Sequence, residues 1–174
     1  MINLLILYVL QSRELTMYAI QKHILMYFAP YTNPSFGALK PALRKLEEQG
    51  YIKSRQTMTD GGKLSGYYLR TKEGEDFLKK TILEQLSENP LQFLSNARIK
   101  LSCADILEEK ERKSLFFELK TLAMKFKLDA ENILNNEYID LTFYQKIVLD
   151  NSICEYKNFI TIIEGLEKDN ARTH

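Results

Sequence analysis

The stretch PSFGALKPALRKLEEQGYIKSRQTMTDGGKLSGYYLRTKEG, residues 34–74, decides how this chain is read. Ser35 is a good N-cap, because its hydroxyl can accept from the free amides of a first helical turn. Phe36, Leu39, Leu43 and Leu46 recur at three- and four-residue spacing and predict one apolar stripe, with Lys40, Arg44 and Lys45 falling away from it. Gly50 stands where a left-handed C-cap is wanted. Pro41 removes one backbone donor and is expected to bend the helix at Gly37 or delay its regular part. From Tyr51 the pattern changes. Ile52 and the run from Lys53 to Thr59 suit a strand, Asp60, Gly61 and Gly62 a turn, and Ser65 to Thr71 a return strand. On that return strand Tyr67 and Leu69 share one face and Tyr68 takes the other. A two-stranded hairpin is marginal alone in water, so this one must lean on neighbouring helices.

A capped helix followed by a basic hairpin is the layout of a winged helix, which sets a rigid helix in the major groove beside a flap. From Phe36 to Lys72 there are eight bases (Lys40, Arg44, Lys45, Lys53, Arg55, Lys63, Arg70, Lys72) against three acids (Glu47, Glu48, Asp60), a net of +5. A basic edge on one helix is commonly no more than a solvated face. The hairpin adds weight, because Lys63 at its tip and Arg55 and Arg70 on its arms can reach phosphates or a minor groove. The candidate DNA-binding residues are therefore Ser35, Lys40, Arg44, Lys45, Arg55, Lys63, Tyr67 and Arg70.

The residues Ser35, Gly37, Leu39, Pro41, Ala42, Leu43, Leu46, Glu47 and Gly50 follow a recognition-helix pattern, and Tyr68, Leu69, Arg70, Thr71, Lys72, Glu73 and Gly74 follow the end of a wing. Together they resemble the PadR family of bacterial transcriptional regulators, over roughly residues 2 to 85. Lys40 stands where that family commonly has tyrosine, and Met17 where a glycine often opens the second helix. The resemblance accounts for Pro41. It implies a repressor, a dimer-facing first helix and, from the helical C-terminal part, the longer subgroup of the family.

The 174 residues can hold one compact domain or two small ones, and 45% apolar with 27% charged residues describes a globular chain. The net charge is only +1, but it divides: residues 1–86 carry twelve bases and eight acids, and residues 87–174 carry twelve bases and fifteen acids. A basic front and an acidic rear suit a DNA reader with a separate assembly region. Ile2, Leu4, Leu5, Ile6, Leu7, Val9 and Leu10 leave the first helix almost no polar face, which suits either a plain core helix or one facing a second copy. It is too short to span a bilayer, and no basic stretch precedes it as in a signal peptide. Thr16 is expected to cap a second helix with Ile20, Ile24, Tyr27 and Phe28 turned inward. Another helix should run from Thr71 to about Ser87.

Glu88-Asn89-Pro90 is the clearest boundary signal, giving a winged-helix domain over 1–88 and an α-helical domain over 89–174. In the latter, Leu115, Leu119, Leu122 and Phe126, and then Leu149, Ile153, Tyr156, Ile160, Ile163 and Leu166, have coiled-coil spacing over two long helices. They read as an antiparallel hairpin, either self-contained or sharing surface with a partner chain. The fold class is mainly α with a small β-hairpin wing, and Leu4, Leu7, Leu119, Leu122, Ile153, Ile160 and Ile163 are the candidate dimer-interface residues.

His23 and His174 form no metal-ligand pair, and no phosphate loop, nucleophile elbow or catalytic carboxylate pair occurs, so no enzyme, metal or cofactor is expected. Cys103 and Cys154, 51 residues apart, suit reduced thiols in the cytoplasm. Phe77 and Phe93 are candidates to line a pocket for an aromatic or hydrophobic effector, although aromatics at helical spacing are usually core. The sequence thus points to a homodimeric, sequence-specific DNA-binding regulator on a pseudo-palindromic operator. A winged helix serving only as a protein-interaction scaffold is the alternative.

Overall fold

The computed structural model describes residues 1–58 and 64–172, and its order is α1 (Ile2–Val9), β1 (Leu15–Thr16), α2 (Met17–Phe28), α3 (Phe36–Glu48), β2 (Ile52–Met58), β3 (Leu64–Arg70), α4 (Lys72–Leu83), α5 (Pro90–Ser102), α6 (Glu109–Leu134) and α7 (Phe143–Arg172), with a 3-10 turn at Ala104–Ile106. Mainly α with a small antiparallel sheet is the fold class expected from the sequence. The chain divides into two compact units, one of residues 1–86 with 92–106 and the other of residues 87–91 with 107–172. The expected boundary at 88/89 differs from this division, because α5 joins the first unit from Gln92 onward, burying Phe93, Ala97 and Ile99.

The first unit is built around α1. Leu4, Leu5, Ile6 and Leu7 are wholly buried, and α1 packs against α2, α3 and α4. Thr16 Oγ1 accepts from the Ala19 amide and Ser35 Oγ from the Ala38 amide, so both helices start where their caps predict. Pro41 sits inside α3 without ending it. Gly50, at φ 74°, turns the chain out of α3, where the Tyr51 amide closes the helix on the Leu46 carbonyl. The hairpin is joined by a strand that sequence patterning did not show: Leu15 and Thr16 pair with Tyr68 and Tyr67, giving the sheet order β1-β3-β2. Two residues carry too little periodicity to announce a strand.

The base of the hairpin is locked to α4 through Tyr51. Its carbonyl accepts from the Thr71 amide at 3.1 Å, and the Thr71 hydroxyl donates to the Gly50 carbonyl at 2.7 Å while accepting from the Gly74 amide at 3.0 Å. Gly74 lies so close that a Cβ there would fall 2.0 Å from the Tyr51 oxygen. The Tyr51 and Phe77 rings stack at 4.1 Å alongside. Helix α4 stops at Leu83, short of the expected Ser87, because Glu84 is already extended at ψ 138°. The buried Lys100 ammonium donates to the Glu84 carbonyl and closes that end.

In the second unit α6 and α7 are antiparallel, as the pairs Lys120–Glu167 and Lys157–Glu131 require. Leu115, Leu119, Leu122 and Phe126 are buried against Ile153, Tyr156, Phe159 and Ile163. The seam therefore runs through Phe159, with Ile160 half-buried at its flank. At each end of such a seam a one-residue offset is easily misread, since both positions are apolar.

Gly74→Ala is expected to cost about 1–3 kcal/mol, since the clash is with backbone. Gly165→Ala in α7, where a Cβ would meet nothing within 4 Å, is expected to be neutral or stabilising by up to about 1 kcal/mol. Urea unfolding of the two variants measures the contrast, and equal midpoints would show that the Tyr51 junction yields freely.

Candidate nucleic-acid interface

Helix α3 buries Leu39, Ala42, Leu43 and Leu46 and leaves Lys40, Arg44 and Lys45 exposed, so its basic face is set by the packing of the opposite one. Arg44 is 82% exposed and holds Glu48 at 2.7 Å one turn on. Phe36, expected on the apolar stripe, is instead 41% exposed and stacks on Tyr18 of α2. It precedes the stripe by one turn, at the helix start, where the neighbouring chain no longer covers it. Tyr27, expected inward, is likewise exposed and stacks on His23.

The hairpin register places the remaining candidates. Lys53 faces Leu69 and Arg55 faces Tyr67 across the strands, so these four share the outer face. Arg55 lies 5.4 Å from the centre of the Tyr67 ring, donates to Thr57 Oγ1 at 2.7 Å, and donates to Glu14 Oε2 at 2.7 Å. That hydrogen bond holds the Glu14 carboxyl below its ordinary range and raises Arg55. Glu14 was not singled out in the sequence, because the β1 segment that carries it to the wing was not visible there. Ser54 on the opposite face donates to Glu47 and ties the wing to α3.

The same register turns Arg70 to the other face. It faces Ile52, which is buried, so its side chain turns inward and is only 12% exposed. Its guanidinium approaches the Leu7 carbonyl at 3.4 Å and Glu75 at 3.9 Å, and desolvation lowers its pKa. Lys63 lies outside the described residues.

The other expected sites are occupied by the chain itself. Leu4, Leu7, Leu119, Leu122, Ile153 and Ile163 are buried within one copy, and Ile160 is half-buried. Phe93 is buried, and Phe77 is half-buried against the Tyr51 ring. A cleft of about 730 Å³ in the first unit lies elsewhere, with Tyr8, Arg13, His23, Tyr27 and Phe28 in its walls. There an Arg13 guanidinium nitrogen stands 3.2 Å from His23 Nε2. Burial raises the Tyr8 hydroxyl pKa, with the Asp105 carboxylate at 3.1 Å adding to it.

Among the described residues no group of His, Cys, Asp and Glu could hold a metal, and no helix is long and apolar enough to cross a membrane. Cys103 is buried and Cys154 exposed, both free.

Residues 6–80 match the family model described as the Transcriptional regulator PadR-like family. Solved structures similar to this chain include Bacillus subtilis PadR in complex with operator DNA, at TM-score 0.45 and 19% identity over 94% of each chain. Another is the PadR-like transcriptional regulator from Bacillus cereus, at TM-score 0.43 and 19% identity over 100% of each chain. A PadR family transcription regulator from Clostridium difficile reaches 29% identity and TM-score 0.40, over 46% of this chain and 81% of that one. No curated protein matches the chain in sequence.

Lys40→Ala and Arg44→Ala are each expected to weaken duplex binding by about 1–3 kcal/mol with little change in melting temperature. Arg70→Ala is expected to do the reverse, lowering stability by roughly 1–3 kcal/mol through the buried partners it abandons. Titration and thermal unfolding of the three variants separate the roles. An Arg70→Ala protein that melts normally but no longer binds would return that residue to the interface.

Proposed function

We propose, on the premise that the chain belongs through residues 6–80 to the PadR-like family of transcriptional regulators, that it is a homodimeric, sequence-specific DNA-binding repressor. The observation that carries this is the basic face itself. Lys40, Arg44, Lys45, Lys53 and Arg55 are all exposed on α3 and the adjoining wing strand, while the opposite face of α3 is core. Helix α3 enters the major groove, and the wing lies along phosphates or the neighbouring minor groove. Such a protein works on chromosomal DNA, which places it in the cytoplasm.

Selection of bound sites from random duplexes tests the reading. Enrichment of a two-fold related sequence, with half-sites about one helical turn apart and affinity falling steeply as salt rises, is the expected result. Equal retention of all duplexes would reject sequence specificity, and no retention would reject the function.

The dimer is supported by apolar surface that one copy leaves open. Phe117, Met124 and Leu128 recur at seven- and four-residue spacing on α6, and Tyr144, Ile147 and Val148 stand exposed on α7. A second copy burying these would complete what the α6–α7 seam leaves unfinished. The effector reading moves to the cleft at Arg13 and His23. A planar, anionic ligand there would compete for Arg13, one residue before the Glu14 that holds Arg55, and so bias the wing.

Sedimentation is expected to show a dimer at micromolar concentration, and Phe117→Glu with Val148→Glu to shift it to monomer without unfolding. DNA affinity should then fall by a factor of roughly 10² or more, because two linked heads become two separate ones. A wild-type monomer that still binds the selected site tightly would overturn the assembly.

A further inference from the structure

We propose that Phe36 reads the methyl group of a thymine in the major groove, with the Tyr18 ring behind it as a positioning residue. The inference deepens the reading of the chain as a duplex-DNA binder and rests on it.

Phe36 is the first residue of α3, immediately after the Ser35 cap, whose bond to the Ala38 amide fixes the first turn. Its ring lies 6.3 Å from that of Tyr18 with 18° between the planes, and Tyr18 is 68% exposed. Neither ring supplies the core, which α3 fills with Leu39, Leu43 and Leu46. Two large apolar rings standing in water mark a contact surface.

The surroundings select the occupant. Gly37 and Ala38 beside Phe36 are exposed and small, and a Cβ at Gly37 would meet only Ser35 Oγ at 3.6 Å. The first turn of α3 can therefore approach a base edge closely. Lys22, one turn beyond Tyr18 on α2, and Lys40, one turn beyond Phe36 on α3, are both exposed. An aromatic pair flanked by lysines suits a polyanion with apolar points, not an apolar protein groove. Recognition helices bring their N-terminal residues to base edges, and thymine is the base that offers a methyl group there. Tyr18 contributes by stacking. It limits the Phe36 ring to one orientation, so the contact is made without freezing a loose side chain.

The test uses the full chain and duplexes that it selects from a random pool, each thymine then being replaced in turn by deoxyuridine, which lacks only the methyl group. At one thymine in each half-site the replacement is expected to weaken wild-type binding about three- to fivefold, the worth of one buried methyl. Phe36→Ala is expected to bind the thymine and uracil duplexes equally, and Tyr18→Ala to narrow the ratio while melting like wild type. Both positions are exposed, so thermal unfolding confirms that the variants are folded. Selected duplexes in which no thymine-to-uracil change matters overturn the proposal while leaving DNA binding intact. The same holds for a Phe36→Ala variant that keeps the full ratio. A protein that selects no duplex overturns the DNA-binding reading, and this inference with it.

Discussion

The carbonyl of Tyr51 is the constraint on which the first unit depends. It lies where α3 has just ended on Gly50 and β2 has just begun, and it takes the amide of Thr71, where β3 ends and α4 begins. Four elements are referred to one peptide unit. Because Gly74 packs directly on that unit, the helix that follows the wing cannot drift away from the helix that precedes it. The wing is then a lever with a fixed base. A two-residue strand on its other edge, and Arg55 held by Glu14, complete its support. Strands β2 and β3, marginal as a pair alone, are thereby held at their base and along one edge.

Much of this was legible in the residues. Caps at Thr16 and Ser35, the left-handed Gly50 and the apolar stripe of α3 are local signals whose physics is complete within a few residues. The α6–α7 pair was legible for the same reason, as a repeat. What escaped was what depends on distant pairing. Arg70 read as one more wing cation because its facing depends on the strand register, and only the partner Ile52 shows that it points inward. Phe36 read as core because periodicity marks a stripe but not where the stripe stops being covered. The dimer candidates on α1, α6 and α7 show a related ambiguity: most are buried within one chain, and Ile160 is half-buried. Apolar seam residues announce burial, not which surface buries them, and here one chain is enough.

The division of charge has a structural counterpart. Exposed basic residues of the first unit cluster on α3 and β2, while the half-buried Arg70 and the buried Lys100 serve backbone carbonyls. A count of cations therefore overstates the binding surface. Position in the sheet register and distance from a helix end separate the two populations, and neither is visible in composition.

Carboxylates of the same unit sit beside the exposed arginines of α3 and β2. Glu48 occupies Arg44 and Glu14 occupies Arg55, so neither guanidinium waits unpaired. A phosphate meeting either one must displace an internal partner, and at a loosely seated contact that exchange gains little, since one ion pair replaces another in high dielectric. At a well-fitted site the bidentate geometry of arginine with base or phosphate tips the exchange. The acids thus act as a threshold. In the DNA-binding regulator proposed above, they would depress sticking to arbitrary stretches of chromosome more than occupancy of the true site. With millions of competing positions, a low dwell time on the wrong ones matters as much as a high affinity for the right one.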